Sequence, residues 1–423
     1  MANKISERIL HNSYFHVSKR TDMPKWQAWL IRLGSVVVAL FISAIVSSIL
    51  KPGTFGAFIQ NLFLGTFGTP NRVLKLFQNV AVLLLISLAV TPAFKMKFWN
   101  IGAEGQVLIG GLMSVVCIKY LGGKIDNSLL IVIMLAASIV GGSLWAVIPA
   151  LFKAKWNTNE TLFTLMMNYI AMGLISICIA MWVTSGSQNL GVLKYGHFPK
   201  IGGYNYILNI IIVAVITVLV AVYLRYSKHG YELTVVGESR NTAKYIGINV
   251  SKVIVRTMFL SGALAGIAGW ILVGGTGHTL STSTAGGMGF TAILVSWLAN
   301  FNPLSMVFTA FLVQFFNIGS AFSASNFGFG TAFPDIITGV FFFVIIASEF
   351  FVNYRVLFNK SLLPKRKKKV LATQTACIGC EGADCNTDDE CESVGNCETK
   401  DDSENANDNI SCDCEKSDKE VTE

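Results

Sequence analysis

Long uninterrupted apolar stretches constrain the fold of this sequence more than any other feature. Runs of roughly 18 or more apolar residues recur along the chain, and that length crosses a hydrocarbon core of about 30 Å as a helix. Lipid offers the backbone no hydrogen-bond partners, so each run must be helical. With 52% hydrophobic and only 14% charged residues, the sequence predicts an all-α, polytopic transmembrane protein.

Ten apolar segments are predicted to span the membrane, and those at 98–118 and 287–300 are broken or short. With the N-terminus inside, the inner segments hold 23 Lys and Arg and the outer ones 7, which predicts that both termini are cytoplasmic. This bias explains the basic character of the chain without nucleic acid, and it places the basic run 365–369 near anionic lipid. The predicted spans are 29–50, 73–91, 98–118, 128–151, 160–183, 206–224, 253–273, 287–300, 302–320 and 334–352.

Polar side chains interrupt two of these spans. The third opens FWNIGAEGQVLIGG and the fifth opens NTNETLFTLMMNYIA. Polar, glycine-interrupted helices are tolerated only where they face protein or water, and they often mark the substrate region of a transporter. We therefore predict Asn100, Glu104, Gln106, Glu160 and Asn168 as candidates for a translocation path. The alternative is that small and polar residues here join helices to one another.

The loop at 225–252 is too long for a tight connection between helices. After Gly237, four polar residues predict a turn into a short amphipathic helix containing Ala243, Tyr245 and Ile246. Such a helix on the inner face, with its small and aromatic residues turned away from the membrane, would fit a groove on a soluble partner. The alternative is a helix lying on the membrane surface with no partner.

The segment GYELTVVGESRNTAKYIGINVSKVIVRTMFLSGALAGIAG resembles the permease subunits of bacterial ABC importers, in the group for ribose-type sugars, branched-chain amino acids and nucleosides. Thr242 departs from that pattern, which commonly has proline there. The segments 100–111 and 159–171 are most similar to the nucleoside (BMP-type) branch. The matching residues are Gly237, Glu238, Asn241, Ala243, Tyr245, Gly247, Ile248, Ser261, Gly262, Ala265, Gly266 and Gly269.

The resemblance implies a transport subunit in the bacterial cytoplasmic membrane that is not itself an enzyme. It implies three protein partners: an ATP-binding subunit, a second permease subunit and an extracellular substrate-binding lipoprotein. The sequence lacks the phosphate-binding pattern G-x-x-x-x-G-K-[ST], and we predict no cofactor, metal or catalytic residue in the spans. The resemblance assigns coupling to the ATPase to the cytoplasmic loop at 225–252, which we call the coupling loop. The residues it assigns to this role are Gly237, Glu238, Asn241, Ala243, Tyr245 and Gly247.

The predicted function is nucleoside import through a permease domain at 29–355. The outer loops at 274–290 and 323–333 are rich in Phe, Ser, Thr and Gly, which suits stacking on a base and hydrogen bonding to a ribose. The alternatives are a permease for a simple sugar, an ion-coupled carrier that uses Glu104 and Glu160, and an assembly protein that transports nothing.

Two terminal segments flank the predicted domain. Residues 1–28 form a cytoplasmic N-terminal segment, and 356–423 form a basic, then acidic, cysteine-rich cytoplasmic tail. The tail's composition is typical of disorder, although metal binding through its C-x-x-C and C-x-C pairs and redox sensing are alternatives. Its cysteines are Cys377, Cys380, Cys385, Cys391, Cys397, Cys412 and Cys414.

Overall fold

The computed structural model describes residues 15–20, 24–183, 189–204 and 206–358. Within them, nine helices are long and apolar enough to cross a membrane, which confirms the all-α, polytopic class. The cysteine-rich part of the tail lies outside the described residues. The helices are α1 Lys25–Leu50, α2 Phe55–Phe67, α3 Pro70–Lys95, α4 Ala103–Leu121, α5 Asn127–Trp156, α6 Glu160–Trp182, α7 Ile207–Tyr226, α8 Lys228–Glu238, α9 Arg240–Tyr245, α10 Val250–Ile271, α11 Met288–Leu298, α12 Pro303–Phe327 and α13 Phe333–Asn353.

Polar residues before the apolar runs set where several helices begin. The Asn159 side chain accepts hydrogen bonds from the backbone N–H groups of Thr161 and Leu162 at the start of α6. Asn249 caps α10 and Asn302 caps α12 in the same way, each binding one N–H of the first turn. These side chains satisfy N–H groups that have no partner within the helix.

Helices α4, α5 and α10 form the tightest part of the core, and glycines allow their close approach. A Cβ at Gly266 of α10 would collide with the backbone carbonyl of Ser138 in α5. Gly142 and Gly262 face each other in the same interface, and a Cβ on either would collide with the other's carbonyl. Small residues at helix contacts are how membrane helices gain van der Waals packing without a hydrophobic driving force.

The third crossing is not helical over the whole of 98–118. Helix α4 begins only at Ala103, and the chain from 98 to 102 is irregular. The Asn100 side chain accepts a hydrogen bond from the N–H of Gly102, at 3.0 Å. This local bond competes with helix formation, because short polar side chains offer the backbone an alternative partner.

The crossing predicted at 287–300 contains the short helix α11, and irregular chain before it completes the path. Helix α10 continues as a π-helical turn, Leu272–Gly277; bends and turns follow, and α11 begins at Met288. With 11 residues, α11 is too short to cross alone, but the path from 276 to 301 follows α3 along most of its length. The contacts that mark this path are Gln78 with Thr276, Ser87 with Ser296 and Phe94 with Phe301.

One apolar helix was not predicted. Helix α2 has 13 residues, packs mainly against α12 and buries Phe58 and Leu62 completely. A Cβ at Gly319 of α12 would lie 2.7 Å from Cγ of Leu62, so the two helices touch closely. A search for runs that cross the bilayer misses such a helix, because about 20 residues are needed for a crossing.

The two ends of the membrane domain lie together. Strand β1, Phe15–Lys19, pairs antiparallel with strand β2, Tyr354–Phe358, and they are the only strands of the described chain. Close by, the Arg32 guanidinium of α1 forms two hydrogen bonds with the Glu349 carboxylate of α13, at 3.0 and 2.9 Å. The chain therefore enters and leaves the membrane domain at the same end of the bundle.

Candidate functional site

Four of the five predicted path residues meet where α4 begins. Asn100, Glu104, Gln106 and Asn168 are each at most 3% exposed, although they come from two crossings far apart in the sequence. We call these four residues the polar cluster. Their side chains bind backbone and side-chain groups of the protein itself, so the cluster joins chain segments inside the subunit.

Asn100 and Gln106 connect the irregular chain before α4 to helix α10. The Asn100 Oδ1 atom accepts hydrogen bonds from the Gly102 N–H and from Nε2 of Gln106, at 3.0 and 3.2 Å. Its Nδ2 donates to Oγ of Ser261 in α10, at 3.2 Å. Ser261 lies three turns into α10, so α4 starts well inside the bundle.

Asn168 of α6 satisfies two backbone groups at the same break. Its Oδ1 atom accepts from the Gly105 N–H at 2.8 Å, and its Nδ2 donates to the carbonyl of Ile101 at 2.9 Å. A Cβ at Gly105 would lie 2.8 Å from that oxygen, so only glycine leaves room for the bond. Without Asn168, a buried N–H and a buried carbonyl would each lose a partner.

Glu104 connects α4 to the short helix α11. Its Oε1 accepts from the N–H of Gly287 at 2.8 Å, and its Oε2 accepts from the N–H of Gly289 at 2.7 Å. Gly287 has φ +74°, a conformation that favours glycine. Two charge-assisted hydrogen bonds at the positive end of a helix offset part of the cost of burying a carboxylate.

Glu160 does not join the polar cluster. It is the first residue of α6, and its Oε2 lies 2.7 Å from Nζ of Lys153 in the last turn of α5. The two side chains are only 12% and 10% exposed, respectively, so the ion pair is largely shielded from solvent. Glu160 therefore ties α6 to α5 at the end of the bundle where the coupling loop lies.

Sequence reasoning missed two other buried amides. Gln78 of α3 donates to Oγ1 of Thr276 at 2.8 Å, and Asn209 of α7 donates to the carbonyl of Gly275 at 3.1 Å. Both amides hold the π-helical turn, and both are completely buried. A signal existed, because each is a polar residue inside an apolar run.

The loop at 225–252 folds as α8, a one-residue break and α9. The Ser239 hydroxyl caps α9 by accepting from the Thr242 N–H, at 3.2 Å, as expected for the predicted turn. Within α8, the His229 ring contacts Tyr223 at 2.8 Å and Thr257 at 3.3 Å, which links α7, α8 and α10. Burial and the charge of Arg256 lower the pKa of His229, so the ring is neutral at neutral pH.

Two of the predicted coupling residues face inward. Ala243 is completely buried, which corrects the expectation that the small residues of this helix point away from the membrane domain. Gly237 is also buried, and a Cβ there would collide with the carbonyl of Lys95 at the end of α3. These residues anchor the coupling loop to the membrane domain. Substituting them therefore changes the position of the loop as well as the surface that it exposes.

The outward face of the loop carries exposed apolar side chains. Tyr245 is 93% exposed and Ile246 is 52% exposed. Glu238, Asn241 and Gly247 are exposed as well, and Gly247 has φ +85°, which lets the chain reverse after α9. A fully exposed tyrosine beside an exposed isoleucine is typical of a surface that binds another protein.

The coupling loop lies at the same end of the bundle as the two ends of the membrane domain. Gly237 abuts Lys95, and Phe94 stacks on Phe301 at 6.3 Å, at the junction of α11 and α12. Ala299, Asn300 and Asn302 of that junction line one cavity together with Arg32 and Ile345. The basic loops, the coupling loop and both ends of the membrane domain therefore share one face.

Comparison with known proteins agrees with this architecture. Residues 72–348 match the family model described as "Branched-chain amino acid transport system / permease component". The chain is 29% identical over 318 residues to a guanosine ABC transporter permease of Bacillus subtilis, covering 73% of this chain and 88% of the relative. A glucose ABC transporter permease of Haloferax volcanii is 26% identical, with 82% and 94% covered, and a nucleoside ABC transporter permease of Lactococcus lactis is 26% identical, with 73% and 86% covered.

The family match covers more than half of the chain and extends from α3 to α13. It agrees with the nine apolar helices long enough to cross a membrane in the described part of the chain. The family match disagrees with an ion-coupled carrier. The two carboxylates that such a carrier would use, Glu104 and Glu160, are each bound to other groups of the protein. The chain belongs to the branched-chain amino acid transport permease family, as a multi-pass ABC transporter permease of the cell membrane.

Proposed function

We propose that this chain is the permease subunit of an ATP-driven importer for nucleosides. The observation that carries the proposal is its 29% identity, over most of both chains, to a guanosine ABC transporter permease. Similarity to the Lactococcus lactis nucleoside permease supports the same substrate class. An extracellular binding protein delivers the nucleoside to the outer face, and a second permease subunit completes the path.

ATP hydrolysis takes place on a separate subunit that docks on the coupling loop. Support comes from the sequence, which lacks a phosphate-binding loop, and from the outward face of α9, where Tyr245 is 93% exposed. Burial of Tyr245 and Ile246 in a groove of the ATPase would remove apolar surface from water, which favours association. The buried Gly237 and Ala243 keep this face in position.

The contacts also suggest how motion at the dock reaches the middle of the membrane. Gly237 presses against the end of α3, and the irregular chain from 96 to 102 follows directly. That chain leads into the polar cluster, where Glu104 holds the start of α11. A displacement of α8 is thereby passed to the two crossings that contain α4 and α11. Irregular chain interrupts both, so the backbone can move there while breaking few helical hydrogen bonds.

Transport by purified components tests the proposal. Vesicles that contain this chain, a co-expressed ATP-binding subunit and the binding protein should accumulate labelled guanosine only when ATP is present on the side of the membrane that carries the ATP-binding subunit. Vesicles with this chain alone should accumulate none. Accumulation without the ATPase, or equal accumulation without ATP, would show that the chain is not a subunit of this kind.

The same assay tests the dock. Replacing Tyr245 with Ala should reduce both copurification of the ATPase and uptake about tenfold or more, because a central exposed aromatic often carries 1.4 kcal/mol or more of binding free energy. Replacing Tyr120 with Ala is the matched control, because that tyrosine is 59% exposed at the opposite end of the bundle. Normal ATPase copurification with Tyr245→Ala would place the dock elsewhere.

A sugar is the second candidate substrate. The glucose permease of Haloferax volcanii is 26% identical and covers 82% of this chain, the largest share among these relatives. Competition separates the two candidates. Labelled guanosine and labelled glucose are offered separately. Uptake of guanosine that excess unlabelled glucose leaves unchanged supports the nucleoside, whereas uptake of glucose that excess unlabelled guanosine leaves unchanged would favour the sugar.

A further inference from the structure

A groove of about 970 Å³ opens between the end of α5 and the beginning of α10, away from the polar cluster and the outward face of α9. The two helices run antiparallel, and Oγ of Ser251 lies 3.4 Å from the carbonyl of Ala154, near the groove's outer rim. Because α10 follows α9 after a short turn, the groove lies at the end of the bundle that carries the coupling loop.

Charge and apolar surface are separated along the groove. Lys155 in the last turn of α5 faces Lys252 and Arg256 in the first two turns of α10. One turn deeper on α5 are Leu151 and Phe152, and one turn deeper on α10 is Phe259, all of them exposed. The groove is therefore cationic at the bundle end and apolar toward the middle of the membrane.

The cations of the groove are not neutralised by acidic residues within it. No carboxylate is among the described residues that line it. Of the carboxylates at this end, Glu160 is paired with Lys153. Glu232 raises the pKa of His229, whereas Arg256 lowers it. Lys155 lies over the ring of Trp156, 4.7 Å from its centroid, so this ring lies beside the cationic end of the groove.

We propose that this groove binds an anionic phospholipid, with the headgroup phosphate on Lys155, Lys252 and Arg256 and one acyl chain along Phe152 and Phe259. An amphiphile matches the order of the two surfaces, since its charge lies at the interface and its chain points into the membrane. A soluble acidic protein would match the cations but would leave the deeper aromatic side chains without a partner.

Quenching of Trp156 measures occupancy, because this tryptophan lines the groove and is 59% exposed. The purified full chain in detergent is titrated with phosphatidylglycerol carrying brominated acyl chains, and brominated phosphatidylcholine supplies the background from lipid around the protein. We expect a saturable component with phosphatidylglycerol only. Subtracting a titration of Trp156→Phe isolates that component from the other tryptophans of the chain.

The double substitution Lys252→Gln with Arg256→Gln should weaken the saturable component about thirtyfold, since each cation near an anionic surface contributes about fivefold in affinity. Lys155→Gln should weaken it about fivefold. The matched control, Lys97→Gln with Lys228→Gln, removes two exposed charges at the same end but outside the groove, and it should change nothing.

Three results would overturn the proposal. The first is equal quenching by the two lipids, and the second is an equal loss in the groove variant and the control. The third is unchanged lipid quenching in the groove variant together with loss of a co-expressed ATP-binding subunit, which would assign the groove to that protein. If inorganic phosphate displaces the lipid with an affinity equal to that of the lipid itself, the groove is a phosphate site. Failure of phosphate to compete supports the lipid.

Discussion

The hydrogen-bond partners of Glu104 indicate a structural role for this carboxylate. A carboxylate inside a transmembrane segment is usually a candidate for carrying protons or ions. Here both carboxylate oxygens accept backbone N–H groups of Gly287 and Gly289, at the start of α11. The carboxylate takes the place of the carbonyl groups that a preceding helical turn would offer to these N–H groups. Its charge faces the positive end of α11.

Replacing Glu104 with Gln should lower the free energy of unfolding by roughly 1–3 kcal/mol, the cost of leaving a buried N–H without an acceptor. Glutamine has one acceptor oxygen, and its NH2 group would face an N–H. The measurement is the midpoint of thermal unfolding in detergent. Asp126→Asn is the control, because Asp126 is exposed and its side chain makes no cap hydrogen bond.

An unchanged midpoint for Glu104→Gln would mean that the two N–H groups find other acceptors. Asn168 offers an independent check of the same idea. Its amide binds one N–H and one carbonyl, at 2.8 and 2.9 Å, so Asn168→Leu removes both partners at once. That variant should be at least as destabilised as Glu104→Gln.

At the scale of helices, glycines on α10 decide how closely the core packs. Gly266 lies against the backbone of α5 with no space for a methyl group, whereas Gly173 of α6 has nothing within 4 Å of an added Cβ. The same substitution therefore has opposite consequences on two helices. The two outcomes differ because Gly266 touches the backbone of another helix and Gly173 does not. The intrinsic helix preference of alanine is the same at both positions.

Gly266→Ala should destabilise the protein by about 1–3 kcal/mol, the usual cost of overpacking a core. Gly173→Ala should be neutral or stabilise by roughly 0.5–1 kcal/mol, because alanine loses less conformational freedom in a helix. Both are measured as thermal unfolding midpoints of the purified chain. Equal midpoints for the two variants would contradict the close packing of α5 and α10.

The sequence predicted most helices because an apolar run long enough to cross lipid has one solution for its backbone. It placed α5 and α6 within a few residues of their bounds. It marked the eighth predicted crossing, 287–300, as broken or short. It could not predict that Glu104, 183 residues away in the sequence, binds the N–H of Gly287 there. Nor could it predict that Ala243 is buried, because the residues around it do not reveal which face of a six-residue helix packs inward.

The polar cluster shows the same limit for the site. Polar residues in apolar runs correctly marked Asn100, Glu104, Gln106 and Asn168 as unusual, and the structure brings these four together. Their hydrogen bonds run within the subunit, which is the packing alternative the sequence left open. Their part in a translocation path stays a prediction, as does that of Glu160.

At the scale of the whole molecule, the coupling loop, the cationic groove and both ends of the membrane domain lie at one end of the helix bundle. The opposite end carries the segment 189–204, whose Leu193 N–H donates to the carbonyl of His278 at 2.8 Å. The positive bias of the first end predicts that it faces the cytoplasm.

Cysteine labelling tests this orientation. In a chain whose nine cysteines are replaced by serine, Val192→Cys should react with a membrane-impermeant maleimide in intact cells. Tyr245→Cys should react only in inside-out vesicles. Both positions are strongly exposed, 79% and 93%, so reactivity reports the side and is not limited by burial. Reaction of both from the same side would refute the arrangement.

The pairing of the two ends of the membrane domain has a consequence for biosynthesis. Helix α1 enters the membrane first, yet it packs chiefly against α13, the last helix to be made, and is tied to it by Arg32 and Glu349. Until α13 leaves the ribosome, α1 lacks the helix that it contacts most and lies in lipid with α2 as its main neighbour among the earlier helices. A truncated chain should therefore leave its first helix undocked and open to quality-control proteases.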